Sequence, residues 1–337
     1  MAQTLGQQSI QFNCAPYIQS SASVVGSKEG EGPLGTLFDI VGMDEKFGED
    51  TWEEAESTMQ KEAVTLAIGK AELEKEKVRY IFGGDLLGQN MATTFGLMEL
   101  NIPLFGLYGA CSTAGESLSL AAMTVAAGYA EHVLAVTSSH FASAEKQFRF
   151  PLEYASQRPL SATWTVTGSG AFLLGTTRTK LRVTGITTGK VVDYGIKDSM
   201  NMGAAMAPAA CDTIYQNLVD FQRQPQDYDK IITGDLGIVG QEILIKLLKE
   251  KGFDISAVHM DCGIEIFNRQ EQNTNAGGSG CGCSAVTLSA FILPKLKKGI
   301  FHRVLFVPTG ALLSTVSFNE GQSVPGIAHG VVIEYAG

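Results

Sequence analysis

The chain is written twice. Tyr80 to Leu86 (YIFGGDL) and Lys230 to Leu236 (KIITGDL) are apolar strands closing on Gly-Asp-Leu, with Asp85 and Asp235 150 residues apart. Gly109-Ala110-Cys111-Ser112-Thr113, then Leu118 to Ala122, is answered by Gly280 to Ser284, then Leu288 to Ile292. His132 to Val136 is answered by Arg303 to Val307, and Gly168 to Leu174 by His329 to Glu334. Each half therefore reads strand, helix, strand, small-residue helix, strand, returning strand. Leu134 to Thr137 and Val304 to Val307 are unbroken apolar runs, as in sheets buried on both faces. Strands alternating with helices predict α/β layers. A capping box at Thr51 to Glu54 opens an amphipathic helix running to about Ala71; Gln241 to Lys251 is its counterpart. Two such halves, residues 1–177 and 178–337, predict a five-layered α-β-α-β-α sandwich. The two small-residue helices pair as its middle layer, and any site lies where the halves meet. Residues 26–50 read as a surface loop. Phe141 to Ser161 reads as a polar insertion covering a pocket or a subunit contact.

The chemistry centres on Cys111, delivered by the apolar run Ile102 to Tyr108 to the start of the first small-residue helix. Unpaired N–H groups and the positive end of the helix dipole favour a thiolate there. The same geometry makes a plain anion site. Asp85 and Asp235 read as helix N-caps, with Asp235 also a candidate pocket residue. His140 closes a strand on the edge where loops cluster, and His329 lies beside an apolar strand. Arg149, Lys146 and Arg158 offer cations, and a guanidinium fork matches a carboxylate. Ser112, Ser279 and the Gly278 to Ser284 loop supply hydroxyl and backbone donors, with Cys281 and Cys283 as small packing residues. The six cysteines are expected to be reduced. Five scattered histidines and the Cys281-Gly282-Cys283 spacing make no metal site. A net charge of −10 argues against nucleic-acid binding. No apolar run is long enough to span a membrane, and the N-terminus lacks the pattern of a secretory signal.

The duplicated halves with a cysteine at this junction resemble the thiolase superfamily, including the β-ketoacyl synthases. In active members of that superfamily the second half adds a histidine after the strand that here ends in Thr233-Gly234-Asp235, and a histidine or asparagine in the glycine-rich segment that here reads Gly278-Ser279-Gly280-Cys281. This chain keeps the cysteine and changes both partners. A closer resemblance, to the thiolase-like stage V sporulation proteins of endospore-forming bacteria, is carried by Glu31 to Asp39, Gly109 to Thr113, Thr137 to His140, Glu145 to Arg149, Thr165 to Ala171, Met202 to Ala210, Asn275 to Cys281 and Ile327 to Val331. It implies a non-catalytic protein that binds dipicolinic acid, or its calcium complex, for uptake into the developing spore. It implies no cofactor beyond calcium accompanying the ligand. It further implies a homodimer, made in the cytoplasm and peripheral on the inner spore membrane beside integral membrane subunits. The expected ligand contacts are Cys111, Ser112, His140, Arg149, Asp85, Asp235, Ser279, Cys281 and His329. The alternative is an acyltransferase or condensing enzyme using Cys111 and acyl-coenzyme A.

Overall fold

The computed structural model describes residues 2–148, 153 and 156–337. Its main strands are β1 (Tyr17–Val25), β2 (Tyr80–Gly84), β3 (Leu104–Gly106), β4 (His132–Ser139) and β5 (Gly168–Gly175) in the first half. In the second half they are β6 (Leu181–Thr187), β7 (Lys230–Thr233), β8 (His259–Asp261), β9 (Arg303–Val307) and β10 (Gly330–Tyr335). The first five lie in the order β1-β5-β4-β2-β3, the second five in the order β6-β10-β9-β7-β8. In both sets the first two pairings are antiparallel and the last two parallel. The repeat read from the sequence is thus a repeat of topology. The two sets join at one antiparallel pair, Arg182 opposite Tyr17.

Helix α1 (Trp52–Lys70) packs on the outer face of the first set. Its capping box forms as expected: the Glu54 N–H donates to Thr51 Oγ1 at 3.2 Å, and the Thr51 N–H donates to Glu54 Oε2 at 3.1 Å. Helix α2 (Thr113–Ala126) lies between the sheets, packed against strands of both sets and against α4 (Cys281–Thr287). Helix α3 (Met202–Asp220) covers the second set on its outer side. The five layers expected from the sequence follow.

The middle layer is crowded, which is why it is built of Gly, Ser and Ala. A Cβ on Gly170 of β5 would sit 2.6 Å from the Ala285 Cβ, and one on Gly282 would sit 2.3 Å from the Gly168 carbonyl oxygen. A Cβ on Gly69, on the exposed side of α1, meets nothing. Denaturant unfolding should therefore give opposite signs for one chemical change. Gly170→Ala is expected to destabilise by about 1–3 kcal/mol through overpacking. Gly69→Ala, in the last turn of the helix, should stabilise by up to about 0.5 kcal/mol, the low end of the helix-interior Gly-to-Ala effect.

Two segments differ from the sequence expectation. Residues 26–50 are no simple surface loop: Leu34 and Phe38 join the core, Glu29 is fully buried, and Ile40–Val41 pairs parallel with β1. Its acidic, glycine-rich composition hid those anchors. The insertion from Phe141, read as polar, opens as an amphipathic helix, Phe141–Phe148, with Ser143, Ala144 and Glu145 buried. Among the described residues no helix is long and apolar enough to cross a membrane.

Candidate functional site

Cys111 stands on a sharp turn between β3 and α2. Ala110, one residue earlier, takes a left-handed φ of 50°, unusual for a residue with a Cβ. The turn is tied by its own hydroxyls: Ser112 Oγ donates to the Gly109 carbonyl at 2.6 Å and Thr113 Oγ1 to the Ala110 carbonyl at 2.7 Å. Ser112, expected to touch ligand, thus spends its hydroxyl on the loop.

The environment of Cys111 reverses the thiolate expectation. The thiol is 7% exposed and packs with Leu86, Ala144 and Cys281. The Asp235 carboxylate lies close enough to act on it electrostatically. Burial first, and the negative charge of Asp235 next, hold its pKa well above the usual thiol range. The helix dipole is outweighed because a desolvated anion facing another anion costs more than a helix end returns.

Asp85 and Asp235, equivalent in the repeat, do different work. Asp85 caps its turn: its oxygens accept the Leu87 N–H at 2.8 Å, the Thr93 N–H at 2.8 Å and the Thr93 hydroxyl at 2.6 Å. Asp235 instead turns toward Cys111. Its Oδ1 accepts the Thr309 hydroxyl and its Oδ2 the Gly280 N–H, each at 3.0 Å. Burial pushes its pKa up to about 7. The cap of the following helix comes from Asp261, which accepts the Leu236 and Gly237 N–H groups at 2.9 and 3.1 Å. Sequence reasoning missed Asp261 because it comes from the next strand, β8, 25 residues downstream of Leu236.

No histidine is hydrogen-bonded to Cys111 among the described residues. Both ring nitrogens of His140 serve backbone: Nε2 donates to the Glu45 carbonyl at 2.7 Å and Nδ1 accepts the Ala142 N–H at 3.1 Å. His329 Nδ1 accepts the Gly189 N–H at 3.3 Å, and burial lowers its pKa to about 4. His259, unremarked in the sequence, donates from Nε2 to Thr233 Oγ1 at 3.1 Å and accepts Gln241 Nε2 at 2.9 Å. Burial lowers its pKa to about 4 as well. All three are neutral struts near neutral pH.

Cys281 Sγ donates to the Ser138 carbonyl at 2.8 Å, so this thiol faces the backbone. Ser279 does reach Cys111: both line a chamber of about 30 Å³, with Thr165, Glu145, Phe148 and Leu313 among its walls. That is room for about one water. Of the expected contacts, Asp85, Asp235, Ser112, His140, Cys281 and His329 are not part of its lining. The expected contact Arg149 lies outside the described residues.

Glu145 also borders a second cavity, of about 710 Å³. Its walls include Trp52, Phe141, Trp164, Lys146 and Arg158. Phe141 and Trp164 stack with ring centroids 3.9 Å apart. The Arg158 guanidinium lies 4.9 Å from the Trp164 ring and pairs with Glu145 at 2.7 Å. Lys146 pairs with Glu53 at 3.0 Å. The sequence flagged both cations but not the aromatic wall, since Trp52 and Trp164 are 112 residues apart.

A sequence model of the family described as stage V sporulation protein AD matches residues 6–334. The stage V sporulation protein AD of Bacillus subtilis (strain 168) is 44% identical over 332 residues, 98% of each chain. Solved structures of thiolase-like enzymes share the fold at low identity. The 3-oxoacyl-[acyl-carrier-protein] synthase III from Aquifex aeolicus VF5 has a TM-score of 0.57 at 12% identity, covering 95% of this chain and 100% of that one. AbyA1, a tetronic acid condensing enzyme, has a TM-score of 0.60 at 16% identity, covering 95% and 99%. Cerulenin-bound OleA from Xanthomonas campestris has a TM-score of 0.58 at 16% identity, covering 95% and 97%.

Proposed function

The chain belongs to the stage V sporulation protein AD family, and on that footing we propose that it is a binding protein with a thiolase fold, not a condensing enzyme, and that its ligand is dipicolinic acid or the calcium complex of that acid. The observation that carries this reading is Asp235 against Cys111. A nucleophilic cysteine needs a base that takes its proton. Asp235 offers a carboxylate already holding the Gly280 and Thr309 donors, and it raises the thiol pKa instead of lowering it.

The ligand is a small planar aromatic dianion. The 30 Å³ chamber at Cys111, with Glu145 in its wall, suits neither its size nor its charge. The 710 Å³ cavity across Glu145 suits both: its aromatic wall takes a flat ring, and Arg158 and Lys146 meet carboxylates. The Arg158 guanidinium keeps N–H groups beyond those given to Glu145 and the Thr163 carbonyl. Calcium travels as cargo. In this reading the ion's ligands are the nitrogen and carboxylates of dipicolinate itself. A peripheral position beside integral membrane partners, and a homodimer, are part of the same proposal and rest on family membership.

Calorimetric titration of dipicolinate, with and without equimolar calcium, tests the reading. Wild type should bind. Arg158→Gln should lose on the order of 2–5 kcal/mol, as for one partner of a buried charged pair. Lys146→Gln, at a more exposed pair, should lose less. Cys111→Ala should leave fold and binding intact. Loss of binding with Cys111→Ala alone, at an unchanged melting midpoint, would move the ligand to the cysteine chamber, and absence of binding to wild type would end the proposal.

A further inference from the structure

A second cleft lies at the far end of α2 from Cys111. It has a volume of about 490 Å³ and includes Val125, from the last turn of that helix, in its lining. At 1.5 Å rise per residue the two ends are about 20 Å apart, and the cleft shares no lining residue with the proposed dipicolinate cavity, so it is independent of that site. Its walls carry Arg182, Arg223 and Arg303, which converge on one carboxylate, Glu334. Arg303 Nε reaches Glu334 Oε1 at 2.7 Å, Arg182 Nη2 reaches Oε2 at 3.2 Å, and Arg223 Nη2 stands 3.7 Å from Oε1. They come from β6, from the turn after α3 and from β9, so the repeat gathers them from 121 residues of chain.

Three guanidinium groups on one carboxylate leave two positive charges in excess, in a chain whose net charge is −10. A second observation says that the cluster is incomplete. The Nε of Arg182 is buried and has no acceptor among the described residues, and a buried charged donor without a partner is costly. We propose that this cleft binds a phosphate monoester. Such a group carries a charge of about −1.5 to −2 near pH 7, matching the excess, and three oxygens for forks arriving from different directions. A lone carboxylate would leave one charge uncompensated. The cleft exceeds the volume of a bare phosphate, and Phe12 and Tyr17 give its remaining wall an apolar surface for an organic moiety.

Cys14 is exposed and lines the same cleft, which provides a reporter. The rate of Cys14 alkylation by neutral iodoacetamide is measured by peptide mass, with phenyl phosphate, phosphatidic acid vesicles or phosphatidylcholine vesicles. Saturating phenyl phosphate should slow alkylation at least about fivefold. Arg182→Gln should raise the concentration for half-protection about tenfold or more. Arg182→Gln also removes a partner of Glu334, so its melting midpoint is measured alongside to confirm that the variant is folded at the assay temperature. Protection by phosphatidic acid but not phosphatidylcholine vesicles, lost in Arg182→Gln, identifies a lipid headgroup as the source of the phosphate. Protection by phenyl phosphate alone identifies a free ligand. No protection by any probe, or equal protection of wild type and Arg182→Gln, overturns the proposal.

Discussion

Thermal stability should fall steeply as pH rises from about 4.5 to about 8, because the fold keeps carboxyl groups protonated that the unfolded chain releases. Glu29 and Glu56 are fully buried, and burial pushes each from 4.5 up to about 8. Glu45 beside Glu29, and Asp85 beside Glu56, add to the rise. The Thr167 N–H on Glu29, and the Ser138 and Ser143 hydroxyls on Glu56, only partly offset it. Asp235 at about 7 and Asp261 at about 6 follow the same sense from 3.8. For a raised acid, the stabilisation is complete below the unfolded value and is lost as pH climbs through the folded one. Each pKa unit is worth about 1.4 kcal/mol, so Glu29 and Glu56 together remove on the order of several kcal/mol by pH 9. His259 and His329 act oppositely. Their folded values near 4 lie below 6.5, so their contribution is lost as pH falls through that interval. Four raised acids outweigh the two histidines, so stability should already be falling with rising pH between about pH 5 and 6. Melting curves from pH 5 to 9 check this. Glu29→Gln, which keeps an acceptor for the Thr167 N–H, should flatten the alkaline side. A midpoint that stays level or rises toward pH 9 would show that these acids ionise within the fold.

The second large effect concerns the reactivity of Cys111. Its alkylation at pH 8 should be at least about 100-fold slower than that of exposed Cys14, because the thiolate is the reacting species and both burial and Asp235 suppress it. Exposure to acyl-coenzyme A should leave the intact mass unchanged. Asp235→Asn removes the facing charge but not the burial. It should quicken Cys111 alkylation by about tenfold without creating turnover, since general acid–base help worth about 10²–10⁴-fold remains missing. Rapid acylation of wild-type Cys111, with turnover abolished by Cys111→Ser, would refute the binding-only reading.

The repeat was legible because its signals are local. Gly-Asp-Leu at Asp85 and Asp235 ends a strand in both halves, and Thr51 with Glu54 opens α1 within four residues of chain. Small residues in α2 and α4 announced a buried layer, and Gly170 and Gly282 show the contact distances that demand them. The turn that presents Cys111 was legible for the same reason: it is closed by its immediate neighbours.

The partners of that cysteine were not legible, because each is set by atoms remote in sequence. Identical local patterns place Asp85 and Asp235, yet Thr93 claims the first and Cys111 the second. His140 and His329 look like ligands until Glu45, Ala142 and Gly189 take their ring nitrogens. Desolvation is also invisible in a sequence: the helix end at Cys111 promised a thiolate, and full burial beside a carboxylate reversed the sign. The sequence by itself determined the duplicated α/β layers and the turn that presents Cys111, since periodicity, capping and side-chain size act over a few residues. Only the tertiary structure decided which carboxylate meets the cysteine, which histidines are spent on backbone and where the cations gather. Those outcomes depend on burial and on distances between residues far apart in the chain.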